Sequence, residues 1–185
     1  ELTASHIDSV GLPCPGARIV AMGTDGRELP HGEIGELWIQ SASVIKGYWN
    51  NPKATAESFT SGFWHSGDLG SVDADGFVRV FDRQKDMINR GGLKIYSAEV
   101  ESVLAGHPAV VESAIIAKAC PVLGERVHAV VVTRAPVASE ALRAWCAERL
   151  SDYKVPETMA IIPEPLPRNA NGKVLKRQLR ELLGT

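Results

Sequence analysis

The sequence has few of the residues that build disulfide frameworks or metal centres. Three of its 185 residues are cysteines, Cys14, Cys120 and Cys146, and none lies in a CxxC pair. Because an odd number of widely spaced cysteines rarely forms a disulfide framework, we predict reduced thiols. The five histidines are equally scattered, so their spacing indicates no metal cluster.

Long apolar runs and an excess of one charge are also lacking. No apolar run approaches the roughly 20 residues that span a bilayer, and Glu1 does not begin a signal peptide. The formal net charge of −2 gives no electrostatic reason to expect a nucleic-acid partner. We predict a cytoplasmic globular protein. The start without Met indicates a piece of a longer polypeptide, and the many Ala, Arg and Val residues indicate a bacterial source.

The pattern of predicted secondary structure changes near residue 85. Residues 1–84 combine short β-type runs with Asp-Gly turns, whereas helices and strands mix over 85–185. The predicted fold class is α+β: a β-rich, barrel-like subdomain followed by a small α+β lid domain. The predicted strands are 17–22, 35–40, 77–81, 110–117, 127–133 and 158–162. The predicted helices are 51–59 with Asn51 as N-cap, two that are capped by Ser97 and Ser139, and one from about Lys173 that buries Leu182 and exposes Lys176.

The first polar, glycine-rich segment is 63–70 (FWHSGDLG). Its glycines let the backbone turn sharply, so we expect Asp68 to present a carboxylate at a strand end. A carboxylate accepts two hydrogen bonds at once, which suits the vicinal hydroxyls of a ribose. An aspartate that satisfies its own turn explains this motif equally well.

Two more segments follow closely, 82–86 (DRQKD) and 90–95 (RGGLKI). Arg83 is predicted to end a strand, where a guanidinium can hold a ribose hydroxyl or a phosphate. A solvated strand end is the commoner explanation of such charges. Gly91 and Gly92 allow positive φ and close approach of a ligand to the backbone, but a plain hairpin turn explains them at least as well.

The fourth segment, 167–173 (PRNANGK), delivers Lys173 from a proline-led loop. The ammonium group of a lysine is compact and its side chain is flexible. It can therefore contact a carboxylate and a phosphate together while negative charge shifts from one to the other. The alternative is a solvated lysine at a helix start. A positive charge at a helix N-terminus interacts unfavourably with the helix dipole, so a lysine there does not stabilise the helix.

Taken in order, these segments resemble the later core motifs of the adenylate-forming superfamily, which includes acyl-CoA synthetases and peptide-synthetase adenylation domains. Six motifs occur in the family's order and cover nearly the whole chain. They are 35–39 (GELWI) with 47–55 (GYWNNPKAT), 66–69 (SGDL), 82–86 (DRQKD), 91–101 (GGLKIYSAEVE), 153–156 (YKVP) and 171–173 (NGK).

The resemblance implies a role for each candidate residue. Asp68 and Arg83 bind the ribose of ATP and then of the acyl-adenylate, and Lys85 is the hinge of a mobile C-terminal domain over 85–185. Lys173 assists attack of the carboxylate on the α-phosphate. Gly91 and Gly92 shape the channel for the pantetheine thiol after the domain has rotated. Mg²⁺ accompanies ATP, and coenzyme A is the co-substrate.

Some positions depart from the family pattern. Ser66 replaces the usual Thr, and Asp82 replaces the first Gly of the hinge motif. The family's phosphate loop and acid-binding pocket lie upstream of this chain, so the resemblance implies that these residues alone do not catalyse adenylation. Glu1 corresponds to the magnesium-associated Glu that ends the family's preceding motif.

The 153–156 segment and the lysine of the hinge motif resemble CoA ligases more than peptide synthetases. We therefore expect an acyl-CoA synthetase of fatty or aromatic acid metabolism. One alternative is a ligase that transfers its acyl group to a carrier-protein thiol. Another is a non-catalytic nucleotide-binding or regulatory module, if the natural chain is only this long. The Pro167–Lys173 context also resembles that of acetylated bacterial CoA ligases, which implies a protein lysine acetyltransferase as a partner at Lys173.

Overall fold

The computed structural model describes residues 5–184. Its contacts divide the chain into two compact units, Glu1–Lys85 and Asp86–Thr185. The boundary predicted from composition, between residues 84 and 85, lies one residue before this division. The mixed α and β architecture agrees with the predicted fold class.

The first unit is built on a five-stranded antiparallel sheet. Its strands run in the order β1-β2-β4-β3, and β5 pairs with β4. The core is small and consists of Ala21, Leu37 and Val78, with further apolar side chains packed against them. The strands are β1 (Arg18–Met22), β2 (Gly35–Gln40), β3 (Phe59–Thr60), β4 (Phe63–Val72) and β5 (Val78–Arg83).

One short helix, α1 (Pro52–Ser58), precedes β3. Proline fits the start of a helix because the first N–H groups have no intrahelical partner. The Asn51 side chain accepts a hydrogen bond from the Ala54 N–H at 3.1 Å. The predicted N-cap is therefore confirmed.

At the turn between β4 and β5, two aspartates lie beside a histidine that is far from them in the sequence. His6 Nε2 lies 3.4 Å from Asp73 and 3.5 Å from Asp75, and its ring stacks on Phe77. Histidine and aspartate are metal-ligand types, and spacing had indicated no such cluster. However, Arg79 donates to Asp73 at 2.8 Å, and this bond lowers the pKa of Asp73. We assign the cluster a structural role in closing the turn.

The second unit has a mixed sheet in the order β10-β9-β6-β7, with β8 paired to β9. The long antiparallel pair β8–β9 forms its centre, and β10 runs parallel to β9. The strands are β6 (Ile88–Arg90), β7 (Leu93–Ile95), β8 (Val110–Cys120), β9 (Gly124–Thr133) and β10 (Thr158–Ile162). The helices are α2 (Ser97–Ala105), α3 (Ser139–Ala147) and α4 (Lys176–Leu183), with a 3₁₀ turn at Asp152–Lys154.

Both faces of this sheet are buried. Val127 and Val131 of β9 belong to a core that includes Leu104 of α2 and Leu142 of α3. Alternate β9 residues point to the other face, where Val130 packs in a second core. Burial on both faces explains why β9 reads as a continuous apolar run.

Two of the predicted helix caps are wrong. Ser97 and Ser139 are the first helical residues, and the preceding Tyr96 and Ala138 make no side-chain cap. Ser97 is instead fully buried, and its Oγ accepts a hydrogen bond from Lys176 Nζ at 2.6 Å. The Ser97 hydroxyl, which the sequence pattern predicted to cap the helix, is therefore engaged in a tertiary contact with Lys176.

The last helix also differs from prediction. It begins at Lys176, because an isolated bridge between Arg168 and Val174 holds the preceding residues in a turn. Lys176 was predicted to face solvent, but it is mostly buried and pairs with Glu101 at 2.7 Å. Leu182 was predicted to face the core and is 75% exposed. Over residues 5–184, no helix is long and apolar enough to cross a membrane.

Candidate functional site

Asp68 and Arg83 lie directly opposite each other on β4 and β5. Arg83 Nε donates to Asp68 Oδ1 at 2.7 Å, and the two side chains are 46% and 30% exposed. Asp68 was predicted at a strand end, but it lies within β4, whereas Arg83 does end its strand. The pair presents a carboxylate and a guanidinium side by side to solvent, which suits neighbouring hydroxyl groups.

The backbone before Asp68 departs from regular strand geometry. Gly67 has φ of +71°, a conformation that glycine adopts without strain. Its N–H donates to Glu36 Oε1 at 3.1 Å, and the Asp68 N–H donates to the buried Ser66 Oγ at 3.0 Å. The other Glu36 oxygen accepts from Trp38 Nε1 at 2.9 Å. Glu36 thus fixes the segment that carries Asp68, a role that sequence reasoning missed.

Lys85 is an exposed turn residue between two anchored neighbours. The Gln84 N–H donates to the Gly67 carbonyl at 2.8 Å, which ties Gln84 to the first unit. Asp86 is buried, and its Oδ1 lies 3.6 Å from Arg180 of α4, within the second unit. Lys85 therefore lies between a residue tied to the first unit and a residue tied to the second.

Gly91 and Gly92 form the two-residue turn between β6 and β7, with φ of +57° and +91°. The Gly92 N–H donates to Asn89 Oδ1 at 3.0 Å. The Gly91 N–H donates at 2.8 Å to the carbonyl of Leu123, which lies in the turn that joins β8 and β9. These glycines are therefore a hairpin turn, and a hairpin turn exposes its backbone to an incoming ligand.

Lys173 lies in an ordered loop immediately before α4. The Lys173 N–H donates to Asn169 Oδ1 at 2.9 Å, and the Lys173 carbonyl accepts from the Asn169 N–H at 2.9 Å. Its side chain is exposed, and no hydrogen bond or ion pair with another described residue involves Nζ. The fold therefore fixes the backbone of Lys173 and leaves its ammonium group available.

The Lys173 loop and the glycine turn lie at opposite ends of the β8–β9 pair. The loop is attached to Glu112 near the start of β8 through Arg168, whereas the glycine turn contacts Leu123, beyond the end of that strand. Glu112 and Cys120 are eight residues apart in β8, which corresponds to about 26 Å. The points at which the fold anchors the two candidate groups are therefore separated by most of the length of β8. Glu1, the candidate magnesium ligand, lies outside the described residues.

Two family models match the chain. The model of the AMP-binding enzyme C-terminal domain matches residues 99–173, and the model of the AMP-binding enzyme matches residues 2–49. The chain belongs to the adenylate-forming superfamily of AMP-binding enzymes. The C-terminal match ends at Lys173 and spans most of the second unit.

Relatives of this superfamily match almost the whole chain. A feruloyl-CoA synthase from Amycolatopsis sp is 42% identical over 183 residues, which are 98% of this chain and 37% of the relative. The chain therefore spans little more than a third of the length of this curated relative.

Solved structures of the superfamily have the same fold. The o-succinylbenzoate CoA synthetase from Bacillus subtilis, in complex with an acyl-adenylate intermediate, is 38% identical with a TM-score of 0.91; the match covers 97% of this chain and 37% of that one. The same enzyme has been solved with ATP and a magnesium ion. An amide bond synthetase from Marinactinospora thermotolerans is 33% identical with a TM-score of 0.86, over 96% and 37% of the two chains.

Proposed function

We propose that this chain is part of an ATP-dependent ligase that converts a carboxylic acid to an acyl-adenylate and then to an acyl-CoA thioester. The observation that carries the proposal is the placement of the Lys173 loop and the glycine turn at opposite ends of one unit. The first half-reaction takes place at the α-phosphorus of ATP and the second at the acyl carbonyl carbon, so the two steps need different groups beside the bound substrate. A unit with two functional ends can serve both of them in turn.

In the first half-reaction an oxygen of the carboxylate attacks the α-phosphorus of ATP, and the bond to the bridging oxygen of pyrophosphate breaks. Negative charge shifts from the attacking carboxylate to the leaving pyrophosphate. The free ammonium group of Lys173 would stabilise this charge. Asp68 would accept hydrogen bonds from the ribose hydroxyls, and Arg83 would orient Asp68.

In the second half-reaction the thiol sulfur of coenzyme A attacks the acyl carbonyl, and AMP leaves. The exposed backbone of Gly91 and Gly92 would pass close to the pantetheine arm, because a side chain there would narrow the channel. Lys85 would supply the change in backbone angles between the two half-reactions. Asp68 and Arg83 would hold the same ribose throughout.

Among the cofactors, ATP fits the residues that the structure describes. The paired carboxylate and guanidinium of Asp68 and Arg83 offer an acceptor and a donor at a part-exposed strand pair, as a ribose requires. A bound Mg²⁺ would neutralise the phosphates of ATP. Its candidate ligand Glu1 is outside the described residues.

Acid-dependent pyrophosphate release by the complete enzyme tests the proposal. The acids to assay are a hydroxycinnamate, a long-chain fatty acid and a 2-succinylbenzoate, each with CoA, with a phosphopantetheinylated carrier protein and with a simple amine. We expect pyrophosphate release to depend on the acid and the thioester to form with CoA. Transfer to the carrier or to the amine alone would replace the CoA assignment. No release with any acid would favour a non-catalytic module.

Lys173 is also the residue proposed for lysine acetylation. Its side chain is exposed, so an acetyltransferase can reach it, and acetylation removes the positive charge. Stoichiometric acetylation of Lys173 should therefore lower pyrophosphate release as far as loss of the lysine does. Full activity of the acetylated enzyme would rule out this regulation.

A further inference from the structure

The backbone of Lys173 is held by a chain of contacts that begins on a different strand. Arg168 donates from Nη1 to the carbonyl of Gly172, the residue before Lys173, at 2.7 Å. Its other terminal nitrogen, Nη2, donates to Oε2 of Glu112 on β8, 56 residues away. One guanidinium group therefore joins the loop of Lys173 to the central strand pair of the second unit.

Glu112 is well placed to be the fixed end of this chain. Its carboxylate is 18% exposed, and Oε1 accepts a hydrogen bond from the Leu166 N–H at 2.8 Å. Leu166 is itself buried in the core beside α4. Glu112 thus holds the loop at two points, Leu166 before it and Arg168 inside it.

Glu112 is expected to be ionised in the folded protein. Burial raises the pKa of Glu112, but the hydrogen bonds from Leu166 and Arg168 together outweigh burial and leave it below its ordinary value. A partly buried carboxylate loses solvation free energy. A neutral residue at this position would avoid the loss. The charge of Glu112 is therefore better explained by the hydrogen bonds with which it orients Leu166 and Arg168.

The loop is also closed on itself, but these internal bonds do not fix its position on the sheet. Asn169 Oδ1 accepts from the N–H groups of Asn171 and Lys173, and Gly172 N–H donates to the Asn169 carbonyl. These bonds give the loop its shape. The Glu112–Arg168 pair connects that shape to β8.

We propose that Glu112 is a positioning residue for Lys173, which acts by holding Arg168 against the Gly172 carbonyl. The proposal rests on the adenylation role proposed above for Lys173. Without this connection the loop still carries Lys173, but the ammonium group samples a larger range of positions. Because a misplacement of about 1 Å can cost a rate factor of about 100, we expect Glu112→Gln to slow adenylation about 10- to 100-fold.

The effect should fall on one kinetic constant and one half-reaction. Asp68 and Arg83 belong to the first unit and do not depend on Glu112, so the KM for ATP should stay near the wild-type value while kcat for pyrophosphate release falls. Thioester formation from supplied acyl-adenylate should be unchanged. A residue that only stabilises the fold would not separate these quantities.

The experiment compares Glu112→Gln, Arg168→Gln and the double variant in the complete enzyme, with Glu99→Gln as matched control. Glu99 also holds a cation within the second unit, since both of its oxygens lie 2.7 Å from Lys154 Nζ, but it does not contact the Lys173 loop. We expect the two test variants to lose similar activity, the double variant to lose no more than either, and the control to keep its activity. Additive losses in the double variant would contradict the pairing.

Amide hydrogen exchange on the 185-residue chain supplies a readout that is independent of catalysis. Exchange at Lys173 should rise in both Arg168→Gln and Glu112→Gln. Exchange at Leu166, whose N–H donates to Glu112, should rise in Glu112→Gln. Neither should change in Glu99→Gln. If Glu112→Gln lowers the melting temperature strongly, Arg168→Gln decides, because it keeps the Glu112 bond to Leu166.

The outcomes separate this proposal from the proposed function. Unchanged adenylation in both test variants, or equal loss of both half-reactions, would overturn the positioning role while Lys173→Ala still lost adenylation. Full adenylation by Lys173→Ala would instead remove the role of Lys173 on which the proposal rests.

Discussion

Replacing Lys173 with alanine in the complete enzyme should lower acid-dependent pyrophosphate release about 100- to 1000-fold. The ammonium group is free in the structure, and a cation about 4 Å from a developing negative charge contributes on the order of 4 kcal/mol at an effective dielectric constant near 20, before desolvation. Thioester formation from supplied acyl-adenylate should remain, because the Lys173 loop and the glycine turn are anchored at opposite ends of the β8–β9 pair. Single-turnover assays of the two half-reactions measure both effects.

Arg177→Ala is the control for this prediction. Arg177 lies in the first turn of α4, close to Lys173 in the sequence, and its exposed side chain pairs weakly with Glu181 at 3.4 Å. Removing it takes the same charge from the same region. If Arg177→Ala lost as much adenylation activity as Lys173→Ala, the effect would be one of general charge, and Lys173 would not have the specific role assigned to it.

The second large effect is expected from Asp68→Asn, which should weaken both half-reactions. The ribose is present in ATP and in the acyl-adenylate, so its carboxylate partner is needed in each. Loss of a hydrogen bond to a charged group costs about 1.5–3 kcal/mol, which corresponds to about 10- to 150-fold in kcat/KM. The KM for ATP and the dissociation constant of the acyl-adenylate should both rise.

Glu28→Gln is the matched control for Asp68→Asn. Glu28 accepts from Arg18 at 2.7 Å in the same unit, the same distance as in the Asp68–Arg83 pair, but this pair lies at a different edge of the sheet. Its removal should leave both half-reactions unchanged. An effect of Asp68→Asn on adenylation alone would show that Asp68 does not hold a ribose that both steps share.

The nucleotide-binding candidates illustrate how far the sequence leads. The glycines around Asp68 and the charge of Arg83 are visible in the sequence, and each residue was predicted singly. Their pairing depends on the register of β4 and β5, and the irregular backbone at Gly67 depends on Glu36, which lies on another strand. A single sequence does not display contacts between strands, so the geometry required the structure.

For the Lys173 loop, the sequence predicted the loop itself but not where the following helix begins. Its proline, asparagines and glycine predict a loop, but the same pattern led to a helix starting near Lys173, about three residues too early. Two features keep these residues out of the helix: Asn169 closes a turn through Lys173, and Arg168 forms an isolated bridge with Val174. Glu112 lies 56 residues from Arg168, and no local pattern links them.

Gly91 and Gly92 show that two interpretations of one motif can both apply. The sequence left open a hairpin turn or a ligand-binding backbone. The structure shows a hairpin turn, and that turn lies at the end of the β8–β9 pair remote from Lys173. The family resemblance had already implied that the domain rotates between the two half-reactions. The structure adds the strand pair that separates the anchoring points of the two groups, and this separation supports the proposal that the second unit serves two steps in succession.

The most direct test of that succession is to restrict Lys85. Proline fixes φ near −65° and removes the N–H, so Lys85→Pro in the complete enzyme should restrict the change in backbone angles between Gln84 and Asp86. Lys85→Ala, which keeps the backbone free, is the control and should retain both half-reactions. We expect Lys85→Pro to keep one half-reaction near its wild-type rate and to lose most of the other. Wild-type rates of both half-reactions in folded Lys85→Pro would contradict a hinge at Lys85 and, with it, the two-step use of the second unit.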